Sequence, residues 1–113
     1  MKLEINDIRF VADQAVVLPE EKPRLEAVAR ALKKIEGRTF RVIGHTARAG
    51  TEAGQKALSV ERAKAVVDFL VASGLDAGRF VYEGRGASEP VATNDTPEGM
   101  ALNRRVEIII LED

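Results

Sequence analysis

The sequence predicts an α/β (α+β) two-layer sandwich in the order β-α-β-α-β-(short α)-β, a four-stranded mixed sheet with two long helices on one face. Three observations predict it. Two segments, Pro19 to Gly37 and Thr51 to Ser73, repeat apolar residues at helical spacing. Between and after them run Thr39 to Ile43 and Arg79 to Glu83, so strand, helix and strand make a βαβ unit with parallel strands and a right-handed crossover. The final stretch, Arg105 to Leu111, is apolar on both faces and belongs inside the sheet rather than at its edge.

In chain order, Leu3 to Phe10 reads as the first strand. Leu3 and Ile5 share one parity and Ile8 and Phe10 the other, so a bulge is expected at Asn6-Asp7. Ala12 to Pro19 connects it to a helix opened by Pro19-Glu20-Glu21, a proline in the first turn followed by acids that suit the helix dipole. Leu25, Val28, Ala29, Leu32 and Ile35 form its apolar stripe, and Gly37 is the expected C-cap. Strand two covers Arg38 to Thr46. The second helix takes Thr51 as N-cap, Glu52 in its first turn, Leu58, Ala63, Val66, Val67 and Leu70 as its stripe, and Gly74 as its end. After strand three an irregular stretch reaches Asp95. Thr96-Pro97-Glu98 then starts a short helix to about Asn103.

The composition narrows the function classes. One hundred and thirteen residues hold one domain with one core, here 1–113, and not two. With 17 basic residues against 18 acidic ones there is no basic excess for nucleic acid. No apolar run is long enough to span a bilayer. Zero cysteines exclude disulfides, thiolate metal sites and a cysteine nucleophile, and a single histidine argues against a histidine metal site or triad. No carboxylate pair, nucleophile–base pair or metal constellation is present, so no cofactor and no catalysis are expected. No signal peptide is read at Met1-Lys2, which fits either a cytoplasmic protein or a domain excised from a longer secreted one.

The stretch that promises function is Gly44-His45-Thr46-Ala47-Arg48-Ala49-Gly50 and the helix after it. A glycine-bounded loop between the carboxyl end of a strand and a helix N-terminus aims backbone N–H groups at one place, a common plan for a small-anion pocket. Gln55, Ser59 and Arg62 follow at i, i+4 and i+7, along one edge of that helix. Arg62 offers a planar fork for a carboxylate; its plainer role is to pair with a nearby acid and cover apolar surface. His45 reads as a structural or exposed strand-end histidine rather than a ligand; Asn103-Arg104-Arg105 could contact an anion, but arginines entering a strand more often pair with acids across the sheet. Gly84-Arg85-Gly86 is no nucleotide loop, since no helix follows it directly.

Gly44-His45-Thr46, Gly50, Leu58-Ser59, Arg62-Ala63, Val66 and the Leu70/Gly74 spacing, with Gly84-x-Gly86, Pro90, Asn94, Gly99 and Asn103-Arg104-Arg105-Val106-Glu107, make the chain resemble the OmpA-like family. Nearly the whole chain takes part. The resemblance implies a non-enzymatic domain of the periplasm or cell envelope that binds peptidoglycan through the diaminopimelate of its stem peptide. It assigns the ligand to Thr46, Ala47, Gly50, Gln55, Leu58, Ser59, Arg62 and Arg104. In the family an aspartate at position 47 holds the ligand ammonium and an arginine at position 62 a carboxylate. This sequence keeps Arg62, has Ala47 in place of the aspartate, Gln55 in place of the usual asparagine, and Met100 in place of an arginine. Two expectations follow: a wall-binding module weakened at Ala47, or an OmpA-like scaffold that has lost the wall and serves structural or protein–protein contacts. In either case an envelope protein is a possible partner.

Overall fold

The computed structural model describes residues 2–6, 10 and 14–111. Its strands are β1 (Lys2–Asn6), β2 (Thr39–Gly44), β3 (Phe80–Gly84) and β4 (Arg105–Leu111), and its α-helices α1 (Lys22–Lys33), α2 (Glu52–Ala72) and α3 (Pro97–Asn103). The strands form one mixed sheet in the order β1-β4-β2-β3. β2 and β3 run parallel, with Phe40 opposite Phe80 and Gly44 opposite Gly84, while β4 is antiparallel to both its neighbours. The last strand thus lies inside the sheet. Its two apolar faces required neighbours on both sides.

Alternation along β2 turns Phe40 and Val42 toward the helices. They meet Phe80 of β3, Val106, Ile108 and Ile110 of β4, Leu25, Ala29 and Leu32 of α1, and Ala63, Val66, Val67 and Leu70 of α2 in one apolar core. The Phe40 and Phe80 rings lie 5.4 Å apart and tilted, a favourable aromatic pair. Leu58, expected in the α2 stripe, is only half-buried and lies outside this core.

Several boundaries differ from the sequence expectation; β2, for one, is Thr39–Gly44 rather than Arg38 to Thr46. β1 is described over Lys2–Asn6, and its expected continuation to Phe10, with a bulge at Asn6-Asp7, runs into residues outside those described; Phe10 makes an isolated antiparallel bridge with Val17. The first helix is divided into a 3-10 turn, Pro19–Glu21, and α1, which has a second proline in its own first turn. Gly37 is not its cap. The helix closes earlier at Lys34, whose N–H reaches the Ala31 and Leu32 carbonyls, and Ile35 packs on the core beyond it.

The N-terminal half of α2 lies unusually close to the sheet. Gly44 and Gly84, opposite each other in β2 and β3, both sit beneath Ser59. A methyl group at Gly44 would overlap the Ser59 carbonyl, and one at Gly84 would overlap Ser59 Oγ and the Val60 nitrogen. Only glycine lets backbone approach this near.

Candidate ligand site at the start of α2

β2 ends at Gly44, and the chain leaves the sheet through His45, Thr46 and Ala47 under backbone control. His45 N–H donates to Arg105 O at 2.9 Å, and Thr46 N–H to Gly86 O at 2.9 Å. Ala47 is 6% exposed, so its methyl group is buried. The next N–H, that of Arg48, donates to Asn94 Oδ1 at 3.0 Å. Gly50, at φ +76°, turns the loop into α2, where Thr51 Oγ1 accepts from Gly54 N–H at 3.0 Å as the expected N-cap.

Gln55, Ser59 and Arg62 are all buried along one edge of α2. Gln55 Nε2 donates to Ala49 O at 3.0 Å and to Gly50 O at 3.4 Å, which fastens the loop to the helix. Ser59 Oγ donates to Lys56 O at 2.8 Å and accepts from Gly86 N–H at 2.9 Å. Arg62 Nε donates to Gln14 O at 3.3 Å, and its guanidinium lies 4.7 Å over the Phe10 ring, within cation–π range. Arg62 therefore faces Phe10 and Gln14. The open cleft beside the loop is lined by other cations, Arg48, Lys56 and Arg85, and neither Ala47 nor Arg62 is in its wall. This cleft joins the loop to Arg48, Lys56 and Arg85, while Arg62 is turned to Phe10 and Gln14. Arg104 is half-buried just after α3, with its N–H bonded to Met100 O at 3.1 Å.

Below the loop, β2 and β4 enclose a polar cluster. Arg105 Nη2 donates to Glu107 Oε1 at 3.0 Å, and His45 Nε2 stands 2.9 Å from the same oxygen without the alignment of a hydrogen bond. His45 is 2% exposed. Burial first, then the Arg105 guanidinium, push its pKa below the usual histidine value, while Glu107 and Glu89 pull the other way. Of the two sequence readings for this histidine, structural or exposed, its burial fits the first. Arg105 pairs with an acid: Glu107 is two residues along the same strand, where side chains share a face.

Sequence reasoning met Asn94 only as part of the family resemblance, and offered Asn103 no role beyond an anion contact shared with Arg104 and Arg105. Asn103 Oδ1 accepts from Val91 and Ala92 N–H at 2.8 and 3.0 Å, and its Nδ2 donates to Ala92 O at 2.9 Å and Asn94 Oδ1 at 3.0 Å. Since Asn94 also holds Arg48 N–H, the two amides brace the loop from below. A buried asparagine inside a helix-closing motif was the signal available. Among the described residues no group of His, Cys, Asp or Glu could hold a metal ion, and no helix is long and apolar enough to cross a membrane.

A model of the OmpA family matches residues 9–104. The chain belongs to the OmpA family. It is 41% identical over 105 residues to outer membrane protein A of Bordetella avium, covering 93% of this chain and 54% of that protein. It is 40% identical over 103 residues to the peptidoglycan-binding protein ArfA of Mycobacterium tuberculosis, covering 91% of this chain and 32% of that one. Among solved structures, the cell wall anchor of the T6SS from Pseudomonas aeruginosa superposes with a TM-score of 0.85 at 41% identity, covering 99% of this chain and 81% of that one. The chain thus spans about half, or less, of the length of the two curated relatives. These relatives are named for binding, anchoring or the outer membrane, and this OmpA-family domain is not an enzyme.

Proposed function

We propose that this chain is the wall-binding unit of an envelope protein, a single domain over residues 1–113 that holds peptidoglycan non-covalently on the periplasmic side. The observation that carries this reading is its 40% identity, over nearly all its length, with a protein named for peptidoglycan binding. The contact would be made at the start of α2, with Thr46, Ala47, Gly50, Gln55, Leu58, Ser59, Arg62 and Arg104 as the positions that the family resemblance assigns. Gly50, Gln55 and Ser59 shape the loop, and Arg62 supplies the charge for a stem-peptide carboxylate. The departure is Ala47. A ligand ammonium enclosed without an acceptor is penalised by several kcal/mol, so binding is weaker than with an aspartate there. A second reading, a scaffold that has given up the wall for contacts with another envelope protein, is favoured by the buried Ala47 methyl together with the turn of Arg62 toward Phe10 and Gln14.

Calorimetric titration with a diaminopimelate stem peptide separates the two. Ala47→Asp adds an acceptor worth about 1.5–3 kcal/mol, so its affinity should exceed wild type by roughly ten- to a hundredfold. The gain should vanish in Ala47→Asp/Arg62→Ala, because the pair would grip one ligand from two sides. Tight wild-type binding indifferent to Ala47→Asp would mean another mode of wall recognition. No heat from any of the three would leave the scaffold reading.

A further inference from the structure

Beside the loop lies a cleft of about 430 Å³ between the first turns of α2 and the turn after β3. It is a built feature. Gly86, at φ +55°, is pinned through its N–H to Ser59 Oγ and through its carbonyl to Thr46 N–H, both at 2.9 Å. Arg85 makes two bonds to Glu89, at 3.0 and 3.2 Å, and one to Glu83 at 3.3 Å, so its charge is answered within the turn. The remaining charges in the wall are unequal. Arg48 and Lys56 have no acid partner among the described residues, and Glu52 is the one acid facing them. Two cations against one acid leave a single positive charge, which suits a monoanion. Ala87 and Pro90 add an apolar strip, and the volume is that of a small-ligand site.

We propose that this cleft binds the free carboxylate end of a short peptide, the carboxylate between Arg48 and Lys56 and a small terminal side chain against Ala87 and Pro90. The source of that peptide rests on the wall-binding reading: it is the end of a stem peptide. The site is separate from Arg62, which follows Gln55 by two turns, about 10 Å along the α2 axis. The domain would then touch the wall at two places, one at Arg62 and one at Arg48 and Lys56.

The test is nuclear magnetic resonance titration of the whole chain with N-acetyl-alanyl-alanine, set against the same peptide with its carboxylate amidated. The acid should shift the backbone amides of Gly50, Gly86 and Ala87 saturably, and the amidated peptide should bind roughly tenfold more weakly or not at all. Arg48→Gln/Lys56→Gln changes two exposed side chains and should abolish the shifts, whereas Arg62→Ala should leave them intact. Equal binding of acid and amide, shifts away from these residues, or indifference to the double variant would each overturn the proposal. Sedimentation with purified cell-wall sacculi keeps the two readings apart. Acid-specific shifts with no sedimentation would preserve the cleft and reject the wall as the source of its peptide. Sedimentation without acid-specific shifts would reject the cleft alone.

Discussion

Along α2, Ala63, Val66 and Leu70 in the C-terminal half are fully enclosed by apolar neighbours, whereas Gln55, Ser59 and Arg62 in the N-terminal half are nearly as deeply buried and are polar. The apolar half is held by removal of surface from water, which is non-directional and tolerates small shifts. The polar half is stable only because each side chain has a partner at a particular place: Ala49 and Gly50 for Gln55, Lys56 and Gly86 for Ser59, Gln14 and Phe10 for Arg62. One half of the helix therefore stabilises the domain, and the other fixes the loops around it. A site that must hold its shape before a ligand arrives is better built from the second kind.

The contrast can be broken first at Leu70. Leu70→Ala empties a fully buried position and should lower stability by about 2–5 kcal/mol in chemical denaturation, with little effect on the loops. A loss within about 0.5 kcal/mol, as for surface changes, would show that the apolar half of α2 does not anchor the core.

Gly84→Ala sharpens the comparison from the polar side. Its methyl would press on Ser59 and the α2 backbone, an overpacking that destabilises by about 1–3 kcal/mol. Unlike Leu70→Ala, it should displace the amide resonances of Thr46 and Gly86, because it moves the helix to which Gly86 is tied. An unchanged loop spectrum would mean that Ser59 does not transmit the position of α2 to the turn.

The smallest effect at neutral pH concerns His45. Its folded-state pKa lies below the usual 6.5, so the unfolded chain takes up this proton first. In the window below about 6.5 the unfolded state therefore binds more protons, and stability falls as pH falls until His45 protonates in the fold as well. Denaturation curves at pH 7.5 and 5.5 should show this loss, and His45→Gln should remove most of the slope. An equal slope in the variant would assign the pH dependence to carboxylates instead.

Much of the fold was legible because it rests on periodicity. The helical stripe of Leu25, Ala29 and Leu32, the alternation of Phe40 and Val42, and the two apolar faces of the last strand each name an environment that only one placement satisfies. Caps were legible for the same local reason: Thr51 and Thr96 each accept from an N–H three residues on. Gly37 was misread as a cap because two routes end a helix, and at Lys34 the tighter bond to Ala31 arrived first.

By itself, then, the sequence determined which segments are helix and strand, which faces are apolar, and that a polar loop leads into a long helix. What only the tertiary structure decided is what meets what around that loop. The hold of Asn94 on the Arg48 N–H, the seat of Ser59 over Gly44 and Gly84, and the joining of Arg48 and Lys56 with the Arg85–Pro90 turn all link residues far apart in the chain. So does the turn of Arg62 toward Phe10. The physical reason is range. Periodicity and capping act within a few residues, whereas a buried polar side chain takes its partner from whatever the folded chain brings within about 3 Å.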